Sequence, residues 1–203
     1  MAPDLWTFEK KARAVGCRLI AGVDEAGRGP LAGPVVSAAV ILPDGVDLPG
    51  IDDSKKLTPA RRTRLYDRLY AAACAIGIGV VDAAEIDRVN ILQATLCSMA
   101  IAVSNLRPGP DHLLVDGIFT IASDLPQLAI KKGDSLSISI AAASIVAKVT
   151  RDRIMTQADA LYPEFGFRLH KGYPTRSHRD AIVDYGCSPI HRRTFKGVRE
   201  YVK

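Results

Sequence analysis

The sequence has few cysteines, and their placement is not that of metal-binding or cross-linked cysteines. Cys17, Cys74, Cys97 and Cys187 are widely separated and form no CxxC pair, whereas zinc sites and disulfide-rich domains use close, repeated spacings. The spacing therefore favours neither a zinc site nor a disulfide framework. We expect four small buried thiols in a reducing cytoplasm.

Long hydrophobic runs are also absent. The longest uninterrupted apolar stretch, residues 71–81, has 11 residues, against the roughly 18 that a membrane-spanning helix needs. We predict that it forms a buried strand. The N-terminal residues contain no apolar signal core, so we expect neither a membrane segment nor secretion, and we place the protein in the cytoplasm.

Net positive charge is confined to the C-terminal fifth of the chain. The 203 residues carry a formal net charge of +5. Residues 166–203 contain nine Lys and Arg against three Asp and Glu, or +6, which leaves −1 for residues 1–165. A basic segment of this kind is either a solvated surface or a site for a polyanion, and charge alone leaves both open.

The chain contains no linker or repeat that would divide it, and its 48% hydrophobic and 24% charged residues are typical of a globular protein. We predict one α/β domain over residues 1–203, with a core at about 18–165 and a basic segment at about 166–203. We also expect the protein to be a monomer. Strands are predicted at residues 18–23, 35–42, 75–81, 112–115 and 128–130. Helices are predicted after Thr58-Pro59 and after Asp82, then at 91–106, 139–161 and 177–185.

Acidic residues recur just beyond the predicted strands. Asp24 with Glu25, then Asp116, then Asp134 each follow an apolar run. Acids that converge at strand ends repel one another unless a cation neutralises them, and all-oxygen ligation suits Mg²⁺ or Mn²⁺. The alternative is that these acids are ordinary turn formers that never meet. Recurrence at three strand ends favours a divalent metal site.

The glycines after Asp24 and Glu25 suggest close approach of the backbone to a phosphate. Gly27, Arg28 and Gly29 place an arginine between two glycines. A nicotinamide-binding loop is the rival, but the spacing is GxGxxxG and a strand follows where that motif requires a helix. We reject the nicotinamide alternative.

Other candidate contacts are individually weak. Lys55 and Lys56 precede a helix, and Lys131 and Lys132 precede Asp134; such pairs are commonly solvated. Tyr173 lies in a Gly-Tyr-Pro turn that would suit stacking on a sugar or base, or merely a structural turn. The three histidines that follow residue 165 lack nucleophile or zinc spacing, and we expect them at the surface or facing phosphate; they are His170, His178 and His191.

Taken together, six motifs in this order resemble the bacterial ribonuclease HII family, from about residue 18 to residue 195. They are Gly22-Val23-Asp24-Glu25-Ala26-Gly27-Arg28-Gly29-Pro30-Leu31, Asp53-Ser54-Lys55-Lys56-Leu57, Val115-Asp116-Gly117, Lys132-Gly133-Asp134, the run from Ala141 to Asp152, and His170-Lys171-Gly172-Tyr173-Pro174.

The resemblance implies a ribonuclease H-like fold, with a five-stranded mixed sheet flanked by helices and a helical C-terminal portion. It implies an endonuclease that hydrolyses RNA in RNA–DNA hybrids and cuts 5′ of ribonucleotides in duplex DNA. Two divalent ions would assist, and the ends would be 3′-hydroxyl and 5′-phosphate. Asp24, Glu25, Asp116 and Asp134 become the metal-binding catalytic acids. The implied substrate-binding residues are Gly27, Arg28 and Gly29, which sense the ribose 2′-hydroxyl, Tyr173, which packs on the neighbouring deoxyribose, and Lys55, Ser144 and Lys148.

Two other functions stay open. Another nuclease of the same fold, such as a junction resolvase, would share the acids but lack the Gly-Arg-Gly and Gly-Tyr-Pro elements. A non-catalytic nucleic-acid-binding module would have lost acids. The sister type, ribonuclease HIII, usually has a further N-terminal domain, and only 23 residues precede Asp24, so we do not expect that type.

Overall fold

A five-stranded sheet forms the centre of the protein, whose computed structural model describes residues 4–51, 54 and 57–202. The strands are β1 Ile20–Ala26, β2 Val35–Ile41, β3 Ala75–Val81, β4 His112–Asp116 and β5 Gln127–Ile130. Their order is β3-β2-β1-β4-β5. The first three strands pair antiparallel, whereas β4 pairs parallel with both β1 and β5. The predicted mixed sheet is confirmed.

Helices pack against the sheet and extend the chain beyond it. They are α1 Thr7–Ala14, α2 Pro59–Ala72, α3 Ala83–Val89, α4 Ile91–Ser104, α5 Ile138–Leu161, α6 Phe167–His170 and α7 Arg176–Tyr185. The predicted caps are confirmed, since Thr58 accepts from the Arg61 amide and Asp82 from the Glu85 amide. Asn90, at φ 72°, separates α3 from α4.

The two long helices α4 and α5 cover opposite faces of the sheet, and both approach it at glycines. A Cβ on Gly22 of β1 would overlap the backbone of Ser139 in α5. On the other face, a Cβ on Gly79 of β3 would overlap the Ser98 carbonyl of α4. Because the helix backbones lie so close to the strands, β1 is buried in the middle of the protein.

The C-terminal segment docks onto the glycine loop, which we define as residues 27–34 between β1 and β2. The amide of Leu31 donates to the carbonyl of Gly172, and the amide of Arg192 donates to the carbonyl of Leu31, each at 2.8 Å. Leu31 also packs in an apolar cluster with Phe167 and Ile182. The helical C-terminal portion is therefore tied to the loop that follows Asp24 and Glu25.

Two predictions about local structure were wrong. The apolar run 71–81 is not one strand, because Ala71 and Ala72 end α2 and β3 begins only at Ala75. Cys74 and Cys97 are exposed and the other two cysteines are half-buried. Cys74 lies in the turn before β3, and Cys97 lies on the outer face of α4, opposite the side that packs on the sheet.

No helix in the described ranges has the length and hydropathy to cross a membrane.

Candidate active site

Three of the predicted acids meet at the centre of the sheet. Asp24 and Glu25 lie within β1, not beyond its end as predicted, and Asp116 is the last residue of the parallel neighbour β4. Each offers one carboxylate oxygen, and these oxygens all lie within 4.8 Å of one another. Asp24 is buried and the other two are half-buried. We call these three residues the acid cluster.

Asp134 lies beside the acid cluster, in a 3₁₀ turn formed by Gly133–Ser135 after β5. The amide of Gly133 donates to Asp116 Oδ1 at 2.7 Å, so this turn is fixed to the cluster. Asp134 is only 5% exposed. It does not belong to the three residues whose oxygens lie within 4.8 Å. The structure therefore brings all four acids to one region but places Asp134 at its margin.

Burial and mutual repulsion act together on Asp24. Loss of hydration is the main cause that raises its pKa well above the ordinary value, and the negative charges of Glu25 and Asp116 raise it further. Hydrogen bonds from the Glu25 amide and from Ser144 oppose this shift only partly. The site thus disfavours its own charge, which is the condition that a cation relieves. Three carboxylates at this spacing could hold Mg²⁺ or Mn²⁺, which prefer oxygen ligands.

The residues predicted to sense the ribose 2′-hydroxyl lie beside Tyr173, which is predicted to pack on the neighbouring sugar. We call Gly27, Arg28 and Gly29 the ribose sensor and Tyr173 the sugar platform. Gly27 has φ +100°, and a Cβ there would overlap the Arg151 side chain. A Cβ on Gly29 would lie 3.8 Å from the ring of Tyr173, which is 41% exposed. Arg28 is half-exposed and its guanidinium lies 3.4 Å from Glu25 Oε1. The loop, the tyrosine and the acid cluster therefore border one continuous region.

Helix α5 contributes the predicted Ser144 and Lys148 to the same region. The Ser144 side chain is buried; its Oγ lies 2.8 Å from Ser54 Oγ, and it forms a hydrogen bond with the Asp24 carboxylate. One turn later, Lys148 Nζ lies 2.7 Å from Asp152 Oδ1 and 5.8 Å from the centre of the Tyr173 ring. Lys55 lies outside the described residues.

Two buried arginines, which the sequence did not predict, hold the glycine loop. The Arg192 guanidinium donates to the carbonyls of Gly27, Arg28 and Gly33 at 2.6 to 3.0 Å. The Arg151 guanidinium donates to three further carbonyls, those of Pro34, Ala32 and Lys171.

Both arginine side chains have no exposed surface. Burial lowers the pKa of Arg151 to about 10 and that of Arg192 to about 9, so both stay charged at neutral pH. Arg192 belongs to the segment that we interpreted as surface or polyanion-binding charge, and for this residue both interpretations are wrong.

The histidines of the C-terminal segment are not where we expected them. His178 is fully buried, His191 is 1% exposed, and their Nε2 atoms lie 3.0 Å apart. His170 is half-buried and stacks on His178 with ring centres 4.4 Å apart. The prediction that they face solvent or phosphate is therefore wrong for His178 and His191. In α7, His178 precedes the buried Ala181 and Ile182 by three and four residues, a helical spacing that indicated a buried face.

This burial predicts that the protein loses stability in mild acid. Loss of hydration lowers the pKa of His178 and of His191 to about 4, from an ordinary value of 6.5. The unfolded chain then binds more protons than the folded one between pH 6.5 and 4, so stability rises with pH across that window and falls as pH decreases through it. We expect the free energy of unfolding, measured with urea, to fall by about 2–3 kcal/mol per histidine over the full window.

Variants at the histidines provide the control for this effect. His191→Gln, which replaces a titratable ring with a neutral amide, is expected to show a shallower decline in stability from pH 6.5 to 4 than the natural chain. Equal slopes would show that other groups cause the acid sensitivity.

Comparison with known proteins gives one consistent result. A family model described as Ribonuclease HII matches residues 21–198. The ribonuclease HII of Geobacter sulfurreducens is 62% identical over 200 residues, which are 98% of this chain and 92% of that protein. The solved ribonuclease H2 of Pyrococcus horikoshii matches with a TM-score of 0.76 and 31% identity, over 91% of this chain and 97% of that one. A chain from the PCNA:RNase HII complex of Archaeoglobus fulgidus matches with a TM-score of 0.75 and 27% identity, over 88% and 96%.

Proposed function

The chain belongs to the ribonuclease HII family, whose members are endonucleases acting on the RNA of RNA–DNA hybrids, and we propose how its residues divide that work. Family membership favours neither of the two alternative functions, the junction resolvase and the non-catalytic binding module. We propose that the chain cuts on the 5′ side of ribonucleotides, including single ones in duplex DNA, and leaves 3′-hydroxyl and 5′-phosphate ends. The observation that carries the hydrolytic part of this proposal is the acid cluster, in which one carboxylate oxygen from each residue lies within 4.8 Å of the others in a partly buried site.

We assign metal binding and catalysis to Asp24, Glu25, Asp116 and Asp134, with Mg²⁺ or Mn²⁺ as the cofactor. When bound, divalent cations supply Lewis-acid assistance to phosphodiester hydrolysis. The chain supplies rigidity, because the Glu25 amide fixes Asp24 Oδ1 and the Gly133 amide fixes Asp116 Oδ1, each at 2.7 Å. Carboxylates held this way on strands need little rearrangement during the reaction.

Substrate choice must come from groups other than the acids, since an acid cluster alone would serve any phosphodiester. We assign recognition of the ribose 2′-hydroxyl to Gly27, Arg28 and Gly29, and packing on the adjacent sugar to Tyr173. Arg28 is available for this role because its side chain is about half exposed and lies beside Glu25. Lys55, Ser144 and Lys148 are assigned to the same substrate side, Ser144 acting through its bond to Asp24.

The basic C-terminal segment is proposed to hold the duplex through its exposed cations. These are Arg168, Arg176, Arg179, Arg193, Lys196 and Arg199. Neutralising phosphates with such side chains releases counterions, so binding should weaken as salt rises. We propose one domain over residues 1–203, with residues 18–165 as the catalytic core and 166–203 as this segment. We also propose a cytoplasmic monomer; four free cysteines are compatible with a reducing compartment.

Mapping of the cut tests the proposal. Three labelled duplexes of one sequence are incubated with the protein and Mg²⁺: all DNA, DNA with one ribonucleotide, and an RNA–DNA hybrid. We expect a single cut on the 5′ side of the lone ribonucleotide and no cut in the all-DNA duplex. A DNA polymerase should be able to extend the product from its 3′-hydroxyl. Cleavage on the 3′ side, or equal cleavage of all-DNA duplex, would contradict the proposed specificity.

A further inference from the structure

A chain of hydrogen bonds runs through the buried core of the C-terminal segment and ends at Tyr173. It passes from Ser188 to His191, from His191 to His178, and from His178 to the Tyr173 carbonyl. We propose that His178 and His191 are positioning residues for substrate recognition, acting through the backbone of Tyr173. This inference rests on the proposed function, in which the Tyr173 ring packs on a sugar of the substrate.

The bonds determine where each proton lies. The Ser188 amide donates to His191 Nδ1 at 2.9 Å, so Nδ1 carries no proton and the neutral ring is protonated at Nε2. His191 Nε2 then donates to His178 Nε2 at 3.0 Å. His178 in turn must carry its proton on Nδ1, which donates to the Tyr173 carbonyl at 3.0 Å. Each ring is therefore neutral and has one tautomer, and the donors all point towards Tyr173.

The surroundings of the two rings leave little freedom. Phe167 packs edge-on against His178, with ring centres 5.4 Å apart, and His170 stacks on its other side. His170 is itself fixed, because its Nδ1 accepts from the Gly172 amide and its Nε2 donates to the Phe165 carbonyl. Imidazoles thus hold both the amide that precedes Tyr173 and the carbonyl of Tyr173.

The exposed part of Tyr173 contrasts with its fixed backbone. Tyr173 is 41% exposed, and the cations of Lys148 and Arg151 lie within about 6 Å of the centre of its ring. Gly172, at φ +83°, lets the turn lie directly against Ala32 of the glycine loop. A shift of the Tyr173 backbone would therefore move the ring relative to Gly29 and the ribose sensor.

Filling space alone does not account for the two histidines. Burial of a neutral imidazole is costly because its two nitrogens give up hydrogen bonds to water, and an apolar side chain would pack without that cost. An apolar residue would, however, take the His178 donor from the Tyr173 carbonyl and leave it only the amide of Thr175, which donates at 2.8 Å within the same turn. The histidines therefore serve the carbonyl, and through it the ring.

Two isosteric substitutions at His178 separate positioning from packing. In His178→Asn the amide nitrogen can take the place of Nδ1 and keep the bond to Tyr173. In His178→Gln the amide reaches the place of Nε2, so the contact to His191 is kept and the Tyr173 carbonyl loses its side-chain donor, keeping only the Thr175 amide. KM and kcat are measured for both on duplex DNA with one ribonucleotide, together with the thermal midpoint.

We expect His178→Gln to raise KM by about tenfold with a smaller change in kcat, and His178→Asn to stay within about threefold of the natural chain. In a Tyr173→Ala background, His178→Gln should add almost nothing, because two residues that act through one contact are not additive. His191→Asn keeps the acceptor for Ser188 but loses the donor to His178. It should raise KM in the same direction, and it provides the test if His178→Gln does not fold.

Any of four results would overturn the proposal. Equal KM values for the Gln and Asn variants, or full additivity with Tyr173→Ala, would show that His178 only packs the core. A Tyr173→Ala chain with unchanged KM would overturn the sugar-platform assignment and the positioning proposal with it. An impaired Tyr173→Ala chain beside an unimpaired His178→Gln chain would overturn the positioning proposal alone.

Discussion

Asp24→Asn is expected to lower kcat by a factor on the order of 10³ or more, while the protein without metal becomes more stable. The loss of activity follows because Asp24 is the buried member of the acid cluster, and metal-ion assistance is worth several kcal/mol of transition-state stabilisation. Asparagine keeps an acceptor for the Glu25 amide but removes the charge. The measurement is single-turnover cleavage of a duplex with one ribonucleotide.

The gain in stability has a separate cause. Burial and the charges of Glu25 and Asp116 raise the pKa of Asp24, so a negative charge at this position costs free energy in the folded protein without metal. Removing that charge should raise the thermal midpoint in EDTA by about 2–4 °C, which corresponds to roughly 1 kcal/mol for a chain of this size.

Mg²⁺ or Mn²⁺ should stabilise the natural chain more than the Asp24→Asn variant. Asp184→Asn, at an exposed position of α7, is the matched control and should change neither property. A variant within tenfold of natural activity would contradict the assignment of Asp24.

Arg192→Met is expected to destabilise the protein by about 2–4 kcal/mol and to impair cleavage at ribonucleotides. The substitution removes the Arg192 donors from three carbonyls, those of Gly27, Arg28 and Gly33. Methionine fills much of the volume, so the loss comes mainly from the hydrogen bonds. The same loop carries the proposed ribose sensor. We therefore expect kcat/KM on a duplex with one ribonucleotide to fall by more than the fraction of protein that is unfolded at the assay temperature.

Arg176→Met is the matched control for Arg192→Met. Arg176 belongs to the same basic segment, but its side chain is 96% exposed and its ion pair with Asp180 spans 3.7 Å. Exposed pairs of this kind contribute little, so its unfolding free energy should stay within about 0.5 kcal/mol of the natural value. Equal effects from the two substitutions would mean that the net charge of the segment, and not the bracing of the glycine loop, determines stability.

Local features of the sequence predicted most of the fold. The Thr58 and Asp82 caps, the termination of α5 before Pro163 and the five apolar strands all depend on residues within a few positions of one another. The convergence of Asp24 and Asp116 was also accessible, because an acid at each of several strand ends is a pattern along the chain. The motifs in order then identified the family.

Long-range contacts explain what the sequence did not predict. Arg192 bonds to carbonyls 159 to 165 residues away, and no local pattern distinguishes it from its solvated neighbour Arg193. His178 had a local signal in its helical spacing, but its partner His191 lies outside that helix. The place of Asp24 inside β1 depends on how far β2 extends its pairing, which apolar residues alone did not show.

The most direct test of the account compares the natural chain with Asp116→Asn on a DNA duplex that contains one ribonucleotide, with Mg²⁺ and with EDTA. Asparagine preserves an acceptor for the Gly133 amide, so the fold should be retained and circular dichroism should be unchanged. We expect the natural chain to cut at the ribonucleotide only with the cation, and the variant to be at least about 10³-fold slower. Cutting by the natural chain in EDTA, or undiminished cutting by the variant, would contradict the account.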